Sequence, residues 1–230
     1  MKLLLNGQEL EQMEPVPTTL GVALVTVQEK HIAGDQTIAT VYIDGEPLTA
    51  ERLAEWKDRP VDDFQEAHIQ SLKRNILAAQ GLRLVADDLG ESRNQREQIV
   101  DHLCRGRSTE AMKMLNGYLQ VWNTVQQTLA GAGRLLEIEL DTLEVSLPAE
   151  DPDQRQIRPL ADLFNHLTEQ LKELKSSLEA QDLVLLGDIL EYEFGPLTEN
   201  WHRMLNQVAD TFEKQDQPRY DPDGGPSKRN

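Results

Sequence analysis

The chain has 230 residues, 39% hydrophobic and 27% charged, enough apolar mass for a buried core in a soluble protein. Acids outnumber bases 40 to 23, and the formal charge of −17 argues against nucleic acid as a partner, because phosphate binding needs clustered Lys and Arg. The single cysteine, Cys104, excludes an internal disulfide framework, and no stretch approaches the ~20 apolar residues of a membrane span.

Leu3-Leu4-Leu5 is too short for the apolar core of a signal peptide, so the expected setting is cytoplasmic, with no membrane partner. Lys2 to Leu5 reads as a strand. Asn6-Gly7 suits the two positive-φ positions of a type I′ turn, and Gln8 to Met13 returns as a second strand until Pro15 and Pro17. Thr18 or Thr19 caps a helix with Leu20, Leu24 and Val27 on one face, and Gly34 is expected to end it. Thr37 to Ile43 is β-branched and alternating. Asp44-Gly45 turns it into Glu46 to Leu48, Thr49 caps a short helix with Leu53 and Trp56, and Phe64 to Ile69 forms a last strand.

Hairpin, helix, hairpin, short helix and strand follow one another as in the β-grasp, or ubiquitin-like, fold, which residues 1–70 resemble. The resemblance implies a carrier, a modifier, a cluster binder or an adaptor. Carriers and modifiers need a free Gly-Gly after the last strand, but this chain runs on through Gln70-Ser71-Leu72. Cluster binding needs cysteines that the module lacks. A docking or regulatory module remains.

Ser71 to Leu89 is predicted helical, with Leu72, Ile76, Ala79, Leu82 and Val85 inward. Gly90 to Ser92 either interrupts it or lets one helix continue to Cys104, past Ile99, Val100 and Leu103. Cys104 is expected to be buried there. Gly106 supplies a left-handed helix end and Ser108 caps the next helix, whose seam is Ala111, Leu115, Tyr118, Trp122, Val125 and Leu129. Gly131-Ala132-Gly133 reads as a pause, Leu135 to Leu147 as more helix, and Pro148 to Pro159 as a polar loop. Leu160, Phe164, Leu167, Leu171, Leu174 and Leu178 form another seam. Leu183 to Leu186 is apolar all round and expected to be buried. Leu190, Phe194, Leu197, Trp201, Leu205, Val208 and Phe212 form the last seam, kinked at Gly195-Pro196. Residues 214–230 read as a disordered tail. The predicted class is α+β: a β-grasp module over 1–70 and a larger all-α helical bundle over 71–213.

Catalytic patterns are sparse. A carboxylate-bridged metal site in a bundle needs two Glu-x-x-His pairs. Glu199 and His202 supply one, while His102 and His166 have no matching glutamate. Gly131-Ala132-Gly133-Arg134 follows a helix and lacks the lysine of a phosphate loop. No metal or cofactor is expected. Tyr118, Trp122 and Trp201 read as core aromatics or as anchors for a partner helix. Glu191 and Glu193 read as a solvated face or as a recognition stripe for a basic helix.

Tyr42 to Glu46, Gly106 to Ala111 and Asp182 to Glu193 together resemble uncharacterised bacterial proteins with a short β start and a helical bundle, found among motility or secretion genes. The favoured reading is a non-enzymatic cytoplasmic adaptor or chaperone that binds a protein partner through its helices. The alternatives are a metal-dependent bundle enzyme using Glu199 and His202, and a structural homodimer.

Overall fold

The computed structural model describes residues 1–10, 16–148 and 155–214. The chain forms two compact units, Met1–Leu77 and Ala78–Asn230.

In the first unit, β1 (Lys2–Leu5) turns through Asn6 and Gly7, at φ 50° and 82°, into β2 (Gln8–Glu9). Two positive φ angles make this the expected type I′ turn. The return strand is two residues long, and residues 11–15 lie outside the described residues. The Thr19 hydroxyl accepts the Val22 N–H and starts α1 (Leu20–Lys30), which buries Leu20, Leu24 and Val27. The helix ends at His31, whose N–H bonds Val27, so Gly34 lies beyond its end and does not terminate it. Gly21 sits where a Cβ would lie 2.9 Å from the Lys57 carbonyl oxygen, which accepts the Gly21 N–H at 2.8 Å.

β3 (Gln36–Ile43) passes through Asp44 and Gly45, at φ 52° and 83°, into β4 (Glu46–Pro47). Thr49 caps α2 (Ala50–Trp56), and β5 (Glu66–Lys73) completes the sheet. The strand order is β2-β1-β5-β3-β4, with β1 and β5 parallel and the other pairs antiparallel. With α1 over the sheet, burying Leu3, Val41, Ile43, Ala67 and Ile69, this is the β-grasp arrangement. Ser71 to Lys73 belong to β5 and not to the helix predicted for them. They pair with Gln36 to Ile38, and the Asn6 side chain binds both the N–H and the hydroxyl of Ser71.

α3 (Arg74–Cys104) follows β5 without a loop and runs unbroken through Gly90 and Ser92. Gly106, at φ 71°, ends it as expected: Arg107 N–H bonds the His102 carbonyl and Gly106 N–H bonds that of Leu103. Cys104 is exposed, not buried, because the last helical turn carries it off the apolar stripe. In α4 (Ser108–Leu136) Arg107 holds the cap position without a side-chain bond, and Ser108 is the first helical residue, not the cap. All six seam residues from Ala111 to Leu129 are buried. The helix does not pause at Gly131-Ala132-Gly133; Leu140 packs onto Gly133.

The region expected to be helix and then loop contains a hairpin, β6 (Glu144–Pro148) against β7 (Arg155–Pro159). The helical unit is therefore not all-α. Among the described side chains of the hairpin Val145 is buried while Ile157 is exposed, too short an apolar alternation to announce a strand. α5 (Leu160–Glu179), α6 (Leu183–Asp188), a π-helical turn over Ile189–Glu193 and α7 (Phe194–Lys214) complete the unit. The inward line of α5 is Leu160, Leu163, Leu167, Gln170, Leu174 and Ser177, while Phe164, Leu171 and Leu178 flank it half-buried. The α7 seam is buried from Phe194 to Phe212. The predicted tail beyond Lys214 lies outside the described residues. No helix among the described residues is long and apolar enough to cross a membrane.

Candidate functional site: an acidic apolar face on the helical unit

The aromatic candidates are core residues. Tyr118, Trp122 and Trp201 are 0%, 1% and 0% exposed. Trp122 meets Trp201 and Phe194 edge-on at 5.6 and 5.9 Å, and Phe164 closes on Trp201 at 5.3 Å. Edge-on packing matches the positive ring edge to the negative ring face, and it leaves these rings no surface for a partner. The Tyr118 hydroxyl lies 3.2 Å from Thr198 Oγ1, which itself donates to the Phe194 carbonyl. Burial raises the Tyr118 pKa, and the Thr198 and Trp122 side chains and the Arg96 charge oppose that rise.

Glu191 and Glu193 are exposed, and the segment that leads to them exposes apolar side chains expected to be buried. α5 ends with Gln181 in the left-handed region at φ 55°. Asp182 then does two jobs: its N–H bonds the Ser177 carbonyl and its carboxylate accepts the Leu185 N–H at 3.0 Å. The first closes α5 and the second caps α6. From that tight corner only Leu186 of the apolar run points inward. Leu183, Val184 and Leu185 are 37%, 77% and 46% exposed.

The π-helical turn follows. Its Phe194 N–H reaches back five residues to the Ile189 carbonyl. Pro196 has no N–H for the Tyr192 carbonyl, and its ring would press on that carbonyl in a regular helix. The wider turn absorbs the conflict, so the helix continues through Gly195-Pro196 with an inserted residue. Glu191, Tyr192 and Glu193 are consequently exposed in succession, with Tyr192 at 65%.

The result is an outward face of Val184, Leu185 and Tyr192 set among Asp182, Asp188, Glu191 and Glu193. The chain has no Lys or Arg between Lys175 and Arg203. None of these four acids forms an ion pair among the described residues. Periodicity contained the signal for this face: the spacing that carries Leu186, Leu190 and Phe194 inward carries Val184, Asp188 and Glu191 outward.

Glu199 and His202 lie elsewhere on α7, in a cavity of about 370 Å³ with Arg93, Thr198 and Arg203. The Glu199 carboxylate pairs with the Arg93 guanidinium and lies 3.8 Å from that of Arg203. Two cations therefore already hold the carboxylate that the metal-enzyme reading needs, and no third donor joins it among the described residues.

Two family models match. Residues 89–204 match a domain of unknown function, DUF8042, and residues 1–73 match the TP0873 N-terminal domain. An uncharacterized protein of Treponema pallidum (strain Nichols) is 25% identical over 199 residues, covering 86% of this chain and 92% of the relative. No solved structure matches.

Proposed function

This chain belongs to the family defined by the domain of unknown function DUF8042, and from that premise we propose that it is a non-enzymatic protein-interaction module, an adaptor or chaperone whose helical unit presents the Asp182–Glu193 face to a basic amphipathic helix of a partner. One observation carries this reading: a cluster of exposed large apolar side chains stands on a capped helix and the turn that follows it, among uncompensated acids. Exposed apolar surface favours contact, and one-signed charge around it selects the partner and speeds encounter. A basic helix with an apolar stripe meets both demands. The setting in this proposal is the cytoplasm of a bacterium, in a motility or secretion system.

The test places a photo-crosslinking amino acid at Val184 in the native cell and, as a control, at exposed Lys172 on α5. The expected result is a recurrent adduct at position 184 only, mapped to a Lys/Arg-rich amphipathic segment and lost when Tyr192→Glu is added. Adducts that do not differ between the two positions, or that map to acidic segments, would refute the proposal.

A further inference from the structure

In the first unit β3 outlasts its neighbour. β3 has eight residues, but β4 pairs only with Tyr42 and Ile43, and Leu48 adds one bond to the Val41 carbonyl before the chain leaves the sheet. β4 is the last strand on that side, so among the described residues the edge of β3 from Gln36 to Thr40 has no strand beyond it. A bare edge is a template for another strand.

A side chain occupies it instead. The Gln28 amide donates to the Gln36 carbonyl at 3.2 Å and accepts the Ile38 N–H at 2.9 Å. These are the two outward groups that one residue of an added parallel strand would bind. A primary amide carries the same donor and acceptor as a peptide group, so Gln28 makes the bonds of a strand that is not there. Beside it lies a cavity of about 460 Å³ between α1 and this edge, lined by Leu24, Val25, Ile38, Val41, Leu48 and Leu53. Val25 is 56% exposed and Leu53 36%, although both are large and apolar. Glu29 is the one charged residue on the wall, and it forms no ion pair among the described residues.

We infer that this groove is a second binding site, taking an extended peptide segment that displaces Gln28, pairs with the β3 edge at Gln36 and Ile38, sets aliphatic side chains against Val25 and Leu53, and places a Lys or Arg at Glu29. Strand addition draws affinity from main-chain bonds and specificity from pockets for alternate side chains. The lone carboxylate on a wall whose other side chains are uncharged selects a basic residue over an acidic one. This site stands on its own observations and is independent of the helical face.

The experiment selects phage-displayed random 12-residue peptides on the full chain, then titrates the best peptide as a synthetic compound. The expected peptides alternate aliphatic residues and carry Lys or Arg. Their binding shifts the Ile38 amide resonance, falls at least tenfold with Val25→Asp or Glu29→Lys, and holds or tightens with Gln28→Ala. Methylating every second peptide nitrogen should abolish it in the register that faces β3, a change made in the ligand and so free of any effect on folding. Failure to enrich any peptide overturns the inference. So does a peptide whose affinity survives both Val25→Asp and N-methylation in either register, or one that Gln28→Ala weakens tenfold.

Discussion

Tyr118 and Val184 show how differently single side chains contribute to the two roles of the helical unit. Burial lifts the Tyr118 hydroxyl above its ordinary pKa of 10.0. The folded chain thus holds that proton more tightly than the unfolded chain. The stability linked to it is present in full below pH 10 and declines as pH rises further. Denaturation at about pH 9 and about pH 11 should therefore show a larger loss for the natural chain than for Tyr118→Phe. Equal losses would mean that the hydroxyl is not buried. Trp122, packed edge-on against the rings of Phe194 and Trp201, should cost about 3–5 kcal/mol as Trp122→Ala in urea unfolding. Val184→Glu should stay within about 0.5 kcal/mol, because that side chain touches mostly water, and yet remove the adduct formed by a crosslinking amino acid placed at neighbouring Leu185. The residue type alone could not separate these cases. An aromatic at a seam position fits a core or a groove equally well, and only the neighbours Phe164 and Phe194 decide for the core. Cys104 is exposed for a related reason: its apolar neighbour Leu103 is half-buried, and one residue further the helix surface has turned to solvent.

Elements were legible where one pattern dominated. Asn6-Gly7 and Asp44-Gly45 demand positive φ, so both hairpins of the β-grasp unit could be read directly. The α4 seam could be read residue by residue, because its four-three spacing is uninterrupted from Ala111 to Leu129. The β6–β7 hairpin was hidden because part of its stability lies far off in the sequence. The Gln207 side chain of α7 takes both the N–H and the carbonyl of Ser146, at 3.1 and 2.7 Å. Gln207 there and Gln28 at β3 use the same device, a glutamine amide satisfying a strand edge, and no local pattern announces it. The run Leu183 to Leu186 misled by composition: four apolar residues suggest burial, whereas the corner at Gln181 and Asp182 fixes a helix phase that buries one fully. That corner is testable. Asp182→Ala removes the cap of α6 and should cost about 1 kcal/mol, measured by urea unfolding. Pro196→Ala restores the missing donor and removes the ring, so the π-helical turn should relax toward regular helix. The amide of Phe194 would then shift in an NMR spectrum, and the face would lose its run of three exposed residues. An unchanged spectrum there would show that proline does not cause the wide turn.

At the scale of the whole chain, charge decides which assemblies are favoured. The formal charge of −17 makes any two copies repel, and the helical face concentrates that repulsion because its acids lie in a stretch without a single Lys or Arg. Apolar exposure at Val184, Leu185 and Tyr192 pulls the other way, toward self-association. The exposed apolar cluster is small against the ~800 Å² per partner of a standard interface, and a symmetric dimer through it would set Glu191 and Glu193 of each copy against those of the other. Repulsion should win at ordinary ionic strength. A basic partner faces no such conflict, since the same charges attract it and release counterions when it binds. Light scattering at about 0.15 M salt, where the screening length is about 8 Å, should therefore give a monomer, and about 1 M salt, with about 3 Å screening, should move the chain toward a dimer that Val184→Glu prevents. Affinity for the basic partner should change in the opposite sense and weaken across the same interval. A dimer that persists at low salt and survives Val184→Glu would assign the apolar contacts of the chain to its own copies through some other surface, and would favour the structural homodimer over the adaptor.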